Sequence, residues 1–248
     1  SFSNGINPAN PNEVVDTAVV TADFTNNANL YNAGIMNGNV NNSGIFLNNG
    51  TVNATIANAE GGILANYKSL AGDVTNDGSF ANMTGGVITA AVTNNSSGLI
   101  ANAGNIEAAL TNIGTFLNGV NPQNMEETIP NAAITGDVTN IGQMYNAGNL
   151  ANVSNYGDFT NNGAINGNVT NTYNGNFENN GTINGAVDNS TAEFTNNGKI
   201  IGNVKNGVFG DFTNNTNATI TGNVENKNDM WNLGSIAGDV TNRGTLTN

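Results

Sequence analysis

The chain has 248 residues, of which 57 are asparagine and 32 glycine, while charged side chains make up 9% and aromatics 6%. The absence of cysteine and histidine excludes a disulfide framework, a zinc site of the Cys/His kind and an imidazole acid or base. Eighteen acidic against five basic side chains give a net charge of −13, which disfavours nucleic acid and anionic membrane surfaces as partners, and no apolar run is long enough for this segment to insert in a membrane.

In chain order, the organising pattern first shows at Val20, Ala22, Phe24 and Asn26. From Leu30 the alternate positions read Leu30, Asn32, Gly34, Met36, Gly38, Val40, Asn42 and Gly44, and the cycle restarts at Phe46, a period of 16. Phe46, Val52 and Ile56 form the next apolar set, then Leu64, Leu70 and Val74, then Phe80, Ile88 and Val92, then Ile100, Ile106 and Leu110. The phrase is clearest between Asp158 and Asn189, where Phe159, Ile165 and Val169 recur as Phe177, Ile183 and Val187. Two extra residues around Gly61 and Gly62 stretch one copy to 18 without disturbing the apolar order.

An apolar period of two is the signature of strands, and Val, Ile, Thr and Phe fill the runs. Asn-Gly pairs between them predict turns with positive φ. A meander of hairpins also uses Asn-Gly turns, but an apolar-x-Asn run is too short for a hairpin arm and the period is uniform. Short repeats that bury little alone predict a solenoid. The fold class expected is all-β, a parallel β-helix (β-solenoid) of about 16–18 residues per coil and roughly 13 coils, about 60 Å long at ~4.8 Å per rung.

A longer repeat lies over the short one. Residues 3–26 and 117–140 align at an offset of 114: both begin Asn-Gly-aliphatic-Asn-Pro, carry Glu13 or Glu127, and lead into Val20 or Ile134. This predicts one continuous solenoid of two large units. Residues 1–115 hold an insertion at 3–19 and coils at 20–115, and residues 116–248 hold an insertion at 118–133 and coils at 134–248. Leu246-Thr247-Asn248 takes the place of Phe2-Ser3-Asn4, so the chain is expected to be cut from a longer array.

Three inward apolar side chains per coil bury too little to offset the ordering of the backbone, so hydrogen bonds between coils must contribute much of the stability. Asn32, Asn48, Asn66, Asn82, Asn102 and Asn118 share the inward parity and are expected to stack as a structural ladder, since an amide both donates and accepts. Phe46, Phe80, Phe116, Phe159, Phe177, Phe194 and Phe212 are expected to form a core column.

Chemistry is sparse. Asp23, Asp73, Asp137 and Asp239 share a template position but lie coils apart, and Lys68, Lys199, Lys205, Lys227 and Arg243 are scattered. No paired carboxylates suited to glycoside hydrolysis are apparent, so no catalytic residue, enzyme activity or cofactor is expected. No metal site is expected either. Glu126 and Glu127, with Asn121 and Asn124 nearby, are weak loop candidates for calcium, for which a solvated loop is the favoured reading. Outward Thr75, Thr93, Thr111, Thr139, Thr170 and Thr241, with Thr160, Thr195 and Thr213, could suit an ice-binding face, but Asp188, Lys205, Glu225 and Glu178 interrupt them. Tyr31, Tyr145 and Trp231 share an outward position and could stack on sugars, although isolated exposed aromatics are usually incidental.

With their Asn, Gly and Thr richness, few charges, and repeats such as Gly-Asn-Val-Thr-Asn and Phe-Thr-Asn-Asn-Gly, the coils over 30–118 and 134–248 resemble the repetitive β-solenoid stalks of bacterial surface adhesins, of autotransporter or two-partner-secretion type. The resemblance implies a right-handed parallel β-helix, an extracellular or cell-surface location, and a role in adhesion, biofilm or matrix. Asn-Gly-Ile-Asn-Pro at 4–8 is similar to the Asn-Pro motifs of two-partner-secretion domains, but its recurrence at 118–122 assigns it to the repeat. The first expectation is therefore a rod-like structural or adhesive stalk. The alternatives are a subunit of an extracellular filament or sheath stacked end to end, and a carbohydrate- or ice-binding solenoid. Expected partners are further repeats or copies of the same chain and a surface glycan or matrix ligand, with no nucleic acid and no membrane.

Overall fold

The computed structural model describes residues 1–7, 9–121 and 123–248; the Asn-Pro steps at Pro8 and Pro122 lie outside them. The fold is all-β, a parallel β-solenoid of about 13 turns built from three long sheets. It divides into two compact units, Ser1–Thr135 and Gly136–Asn248.

One coil shows how the sequence makes the turn. Asn29–Asn32 lies in the first sheet, Ile35–Met36 in the second and Val40–Asn42 in the third. Alternation points Leu30, Asn32, Met36, Val40 and Asn42 inward, and all five are buried. The next coil repeats this in register, with Leu30 beside Phe46, Met36 beside Val52 and Val40 beside Ile56. Backbone bonds continue between the strands as well: Asn49 N–H donates to the Asn32 carbonyl at 2.7 Å and Thr51 N–H to that of Gly34 at 2.9 Å.

Glycine occupies the inward positions of the corners, but for a different reason from the one the turn chemistry suggests. Among the described residues, positive φ occurs only at Gly5, Gly61, Gly85, Gly119, Tyr173, Asn174 and Asn217. The repeat glycines instead lie against the coil beneath. A Cβ on Gly181 would sit 2.0 Å from the carbonyl oxygen of Gly163, and one on Gly198 2.1 Å from that of Gly181. Hydrogen atoms are required there because the corners of successive coils nest into one another.

In the first unit the inward column of the first sheet runs Leu30, Phe46, Leu64, Phe80, Ile100, Phe116, so Phe46, Phe80 and Phe116 alternate with aliphatic side chains. Two antiparallel hairpins leave the column here. Ile6–Asn7 pairs with Asn10–Val14, and Val120–Asn121 with Asn124–Thr128. Each starts at a glycine in the left-handed region, Gly5 at φ 76° and Gly119 at φ 75°, and each closes by the same bond, Val15 N–H to the Gly5 carbonyl at 2.8 Å and Ile129 N–H to that of Gly119 at 2.7 Å. The insertions at 3–19 and 118–133 are thus two copies of one hairpin arm.

In the second unit four phenylalanines follow one another. Phe159, Phe177, Phe194 and Phe212 stack with centroids 4.7, 4.8 and 5.1 Å apart and planes within 7° of parallel. The rung spacing of the sheet imposes this near-parallel geometry, with the rings offset.

Candidate functional site

The most ordered chemistry of the molecule is inside it. In the first unit Asn4, Asn32, Asn48, Asn66, Asn82, Asn102 and Asn118 form a buried column, each Nδ2 donating to the Oδ1 of the next at 2.7–2.8 Å. The second unit has the same column in Asn146, Asn161, Asn179, Asn196, Asn214 and Asn232.

Each unit also has a second column, on the third sheet. Asn26, Asn42, Asn58, Asn76, Asn94 and Asn112 form it in one unit, and Asn140, Asn155, Asn171, Asn189, Asn206, Asn226 and Asn242 in the other. Sequence reasoning singled out the first column of the first unit and passed over the others. The signal was present, since Asn42 has the same inward parity as Asn32. In many of them the amide nitrogen also donates to a backbone carbonyl, as in Asn48 Nδ2 to Ser69 O at 3.0 Å. Among the described residues, no buried side-chain nitrogen or oxygen lacks a hydrogen-bond partner. The described interior is thus polar but saturated in hydrogen bonds.

The corner acids do structural work where a partner is seen. Asp23 Oδ1 accepts from Asn39 N–H at 2.8 Å and Asp73 Oδ1 from Ala91 N–H at 3.0 Å; Asp137 Oδ1 accepts from Asn152 Nδ2 at 2.9 Å. Asparagine takes the same role elsewhere, as at Asn152 with Asn168 N–H at 2.8 Å. Each caps the following coil across the corner. Glu127 is held inside its own hairpin by Asn121 Nδ2 at 2.6 Å, as Glu13 is by Asn7 Nδ2 at 2.7 Å, and Glu126 is exposed. Among the described residues no three His, Cys, Asp or Glu side chains converge as a metal site, and no helix is long and apolar enough to cross a membrane.

The outer faces of the two units differ over the same scaffold. On the first sheet of the first unit, Ile45, Leu47, Ile63 and Leu99 are exposed, and Ala65, Ala81 and Ala101 share the face. On the corresponding face of the second unit stand Asp158, Asn176, Glu193 and Asp211 in one row and Thr160, Glu178, Thr195 and Thr213 in the next. Tyr31 and Tyr145 are half-buried, their hydroxyls accepting from Asn49 Nδ2 at 3.3 Å and Asn162 Nδ2 at 2.8 Å, while Trp231 is 42% exposed.

The threonine row of the third sheet is broken in the second unit by charges at Asp188, Lys205 and Glu225, which are neighbours in register between Thr170 and Thr241. They line an open trough of about 720 Å³ together with Arg243. Lys205 Nζ meets Asp188 Oδ2 at 2.8 Å, and Glu225 meets Lys227 at 3.0 Å and Arg243 at 3.8 Å. Partial burial pushes the Asp188 carboxyl up, but hydrogen bonds from Lys205 and Ser190 outweigh it and hold it below the usual range. The hydrogen bond to Asp188 raises Lys205, and that from Lys227 lowers Glu225. Asp188 and Lys205, and Glu225 and Arg243, thus pair across the rungs, and Glu225 and Lys227 within one.

No family model matches the chain, and neither a curated protein nor a solved structure is significantly similar to it. The chemistry of the chain is therefore read from its own geometry.

Proposed function

We propose that this protein is a structural repeat protein of the cell surface or extracellular space, a rod-like stalk with an adhesive or matrix role. The observation that carries the reading is the interior: two asparagine columns and three columns of aliphatic or aromatic side chains in each unit, repeated coil after coil, with the asparagine amides bonded from one coil to the next and, among the described residues, no buried side-chain polar atom left without a partner. Such a core extends by addition of like coils, and its outer positions are free to vary. The contrast between the apolar outer face of the first unit and the acidic face of the second is consistent with surfaces that vary over a constant scaffold.

Electron microscopy of the purified protein, together with localisation by surface labelling of the producing cells, tests this. Narrow rods at the cell surface are the expected result. A rounded particle, or a protein confined to the cytoplasm, would overturn the reading, and long fibres would move it to the subunit of a self-assembling filament.

A further inference from the structure

The regular coil turns from the third sheet to the first through two residues, as at 156–157 and 227–228. In three successive coils of the second unit this corner is longer, spanning 172–175, 190–192 and 207–210. The enlarged corners carry two unusual side chains. Tyr173 is 76% exposed and Phe209 74%, the most exposed large apolar groups of the described residues. Tyr156, on the preceding coil, lies 5.7 Å from Tyr173 with its ring tilted by 32°, which widens the aromatic shelf. Tyr173 and Asn174 adopt φ of 54° and 64°, and Thr191 fixes them by accepting from Tyr173 N–H at 2.8 Å and meeting Thr172 Oγ1 at 3.0 Å.

An open cleft of about 460 Å³ begins at Asn174, the residue after Tyr173, and is walled by Asn174, Asn176, Thr191, Glu193, Phe209 and Asp211. Asn176, Glu193 and Asp211 are neighbours in register on the first sheet, so their side chains form one row along its floor. None of the ion pairs of the described residues involves Glu193 or Asp211, and no basic side chain lines the cleft.

We propose that this cleft binds a carbohydrate without negative charge, stacking the ligand's apolar C–H faces on Phe209 and the Tyr156–Tyr173 shelf while Asn174, Asn176, Glu193 and Asp211 hydrogen-bond its hydroxyls or amino groups. Aromatic rings with one apolar face open to solvent suit the C–H face of a pyranose, which is amphipathic in the same way. Carboxylates and amides in one row accept from vicinal hydroxyls, and the amides also donate. The absence of a cation disfavours sialylated or sulfated glycans. Tyr173 and Phe209 are two rungs apart, roughly 10 Å at ~4.8 Å per rung, and the cleft volume falls in the range of small-molecule sites. Where the same corner is enlarged in the first unit it is not aromatic: residues 59–62 and 95–98 carry small or polar side chains. The inference deepens the adhesive part of the proposed function and rests on it only there.

The test is a printed array of neutral, amine-bearing, sialylated and sulfated oligosaccharides probed with the full chain, followed by titration calorimetry with the strongest spot. Binding confined to neutral or amine-bearing glycans, weakened about tenfold by Y173A or F209A and more by the double variant, is expected. E193Q should weaken binding several-fold while leaving the melting curve unchanged, because Glu193 is exposed. A blank array, binding only to anionic glycans, or equal binding by the double variant would overturn the site. A blank array would leave rods seen by microscopy untouched, so failure here and failure of the structural reading are distinguishable.

Discussion

Asn179 lies in the middle of a buried column, accepting from Asn161 Nδ2 at 2.7 Å and donating to Asn196 Oδ1 at 2.8 Å. Asn179→Ala removes one acceptor and one donor and leaves both neighbours facing a gap. Each orphaned buried group costs about 1–3 kcal/mol, so the pair comes to roughly 4 kcal/mol. At about 2–4 °C per kcal/mol for a chain of this size, the melting temperature should fall by ~8–16 °C. Asn180→Ala is the control, since the adjacent Asn180 makes a comparable 2.9 Å bond to Asn162 on the exposed surface. It should shift the midpoint by no more than about 2 °C. Thermal denaturation followed by circular dichroism reads both variants. Equal midpoints for the two would refute the claim that the buried column, rather than asparagine in general, holds the coils.

Four further outcomes follow from the same geometry. Asn179→Asp should be pH-dependent. Burial raises a carboxyl's folded pKa, so stability is fullest below its unfolded value near 4 and is lost as the pH rises through the folded one, giving a lower midpoint at pH 7 than at pH 3. Phe177→Ala removes a fully buried ring stacked at 4.7 and 4.8 Å on its two neighbours and should cost about 3–5 kcal/mol in chemical denaturation. Gly181→Ala should destabilise more than Gly61→Ala as measured by thermal melts, because its Cβ meets a carbonyl at 2.0 Å whereas that of Gly61 meets nothing within 4 Å and faces only the strain of φ 78°. Asp188, whose carboxyl is held below the usual range, contributes its bridge to Lys205 at neutral pH and loses it as the pH falls through the lowered value. Asp188→Asn should therefore change stability by less than about 1 kcal/mol at pH 7, and by nothing once the carboxyl is protonated.

The period of two and the return of Phe159, Ile165 and Val169 as Phe177, Ile183 and Val187 made the solenoid legible, because parity alone decides which side chain meets the core. The hairpin arms were legible as interruptions but not as antiparallel pairs, since Asn10–Val14 shows no clear alternation. The role of the corner glycines is not legible in the sequence. An Asn-Gly step is a turn signal in isolation, and only the stacked neighbour shows that Gly38 is needed because Ala22 O lies 2.0 Å from where its Cβ would be. The cleft beside Tyr173 was hidden for a related reason. It arises from three enlarged corners on successive coils, and Glu193 and Asp211 become neighbours only through a register that spans 18 positions of the chain. Nor does a column of identical residues reveal which amide donates to which.

That last property sets a rule for assembly. In every step of both columns whose bond is described, the NH₂ group faces the following coil and the oxygen the preceding one. A coil laid down in reverse would oppose NH₂ to NH₂ and oxygen to oxygen in two places at once. The asparagines thus act as a one-way valve on orientation, yet they cannot count, because a slip by a whole coil restores every one of their bonds. The numbering of the rungs must come from what is not repeated: the short step from Val138 to Val153, the enlarged corners, and the aliphatic residues set between the rings of Phe46, Phe80 and Phe116.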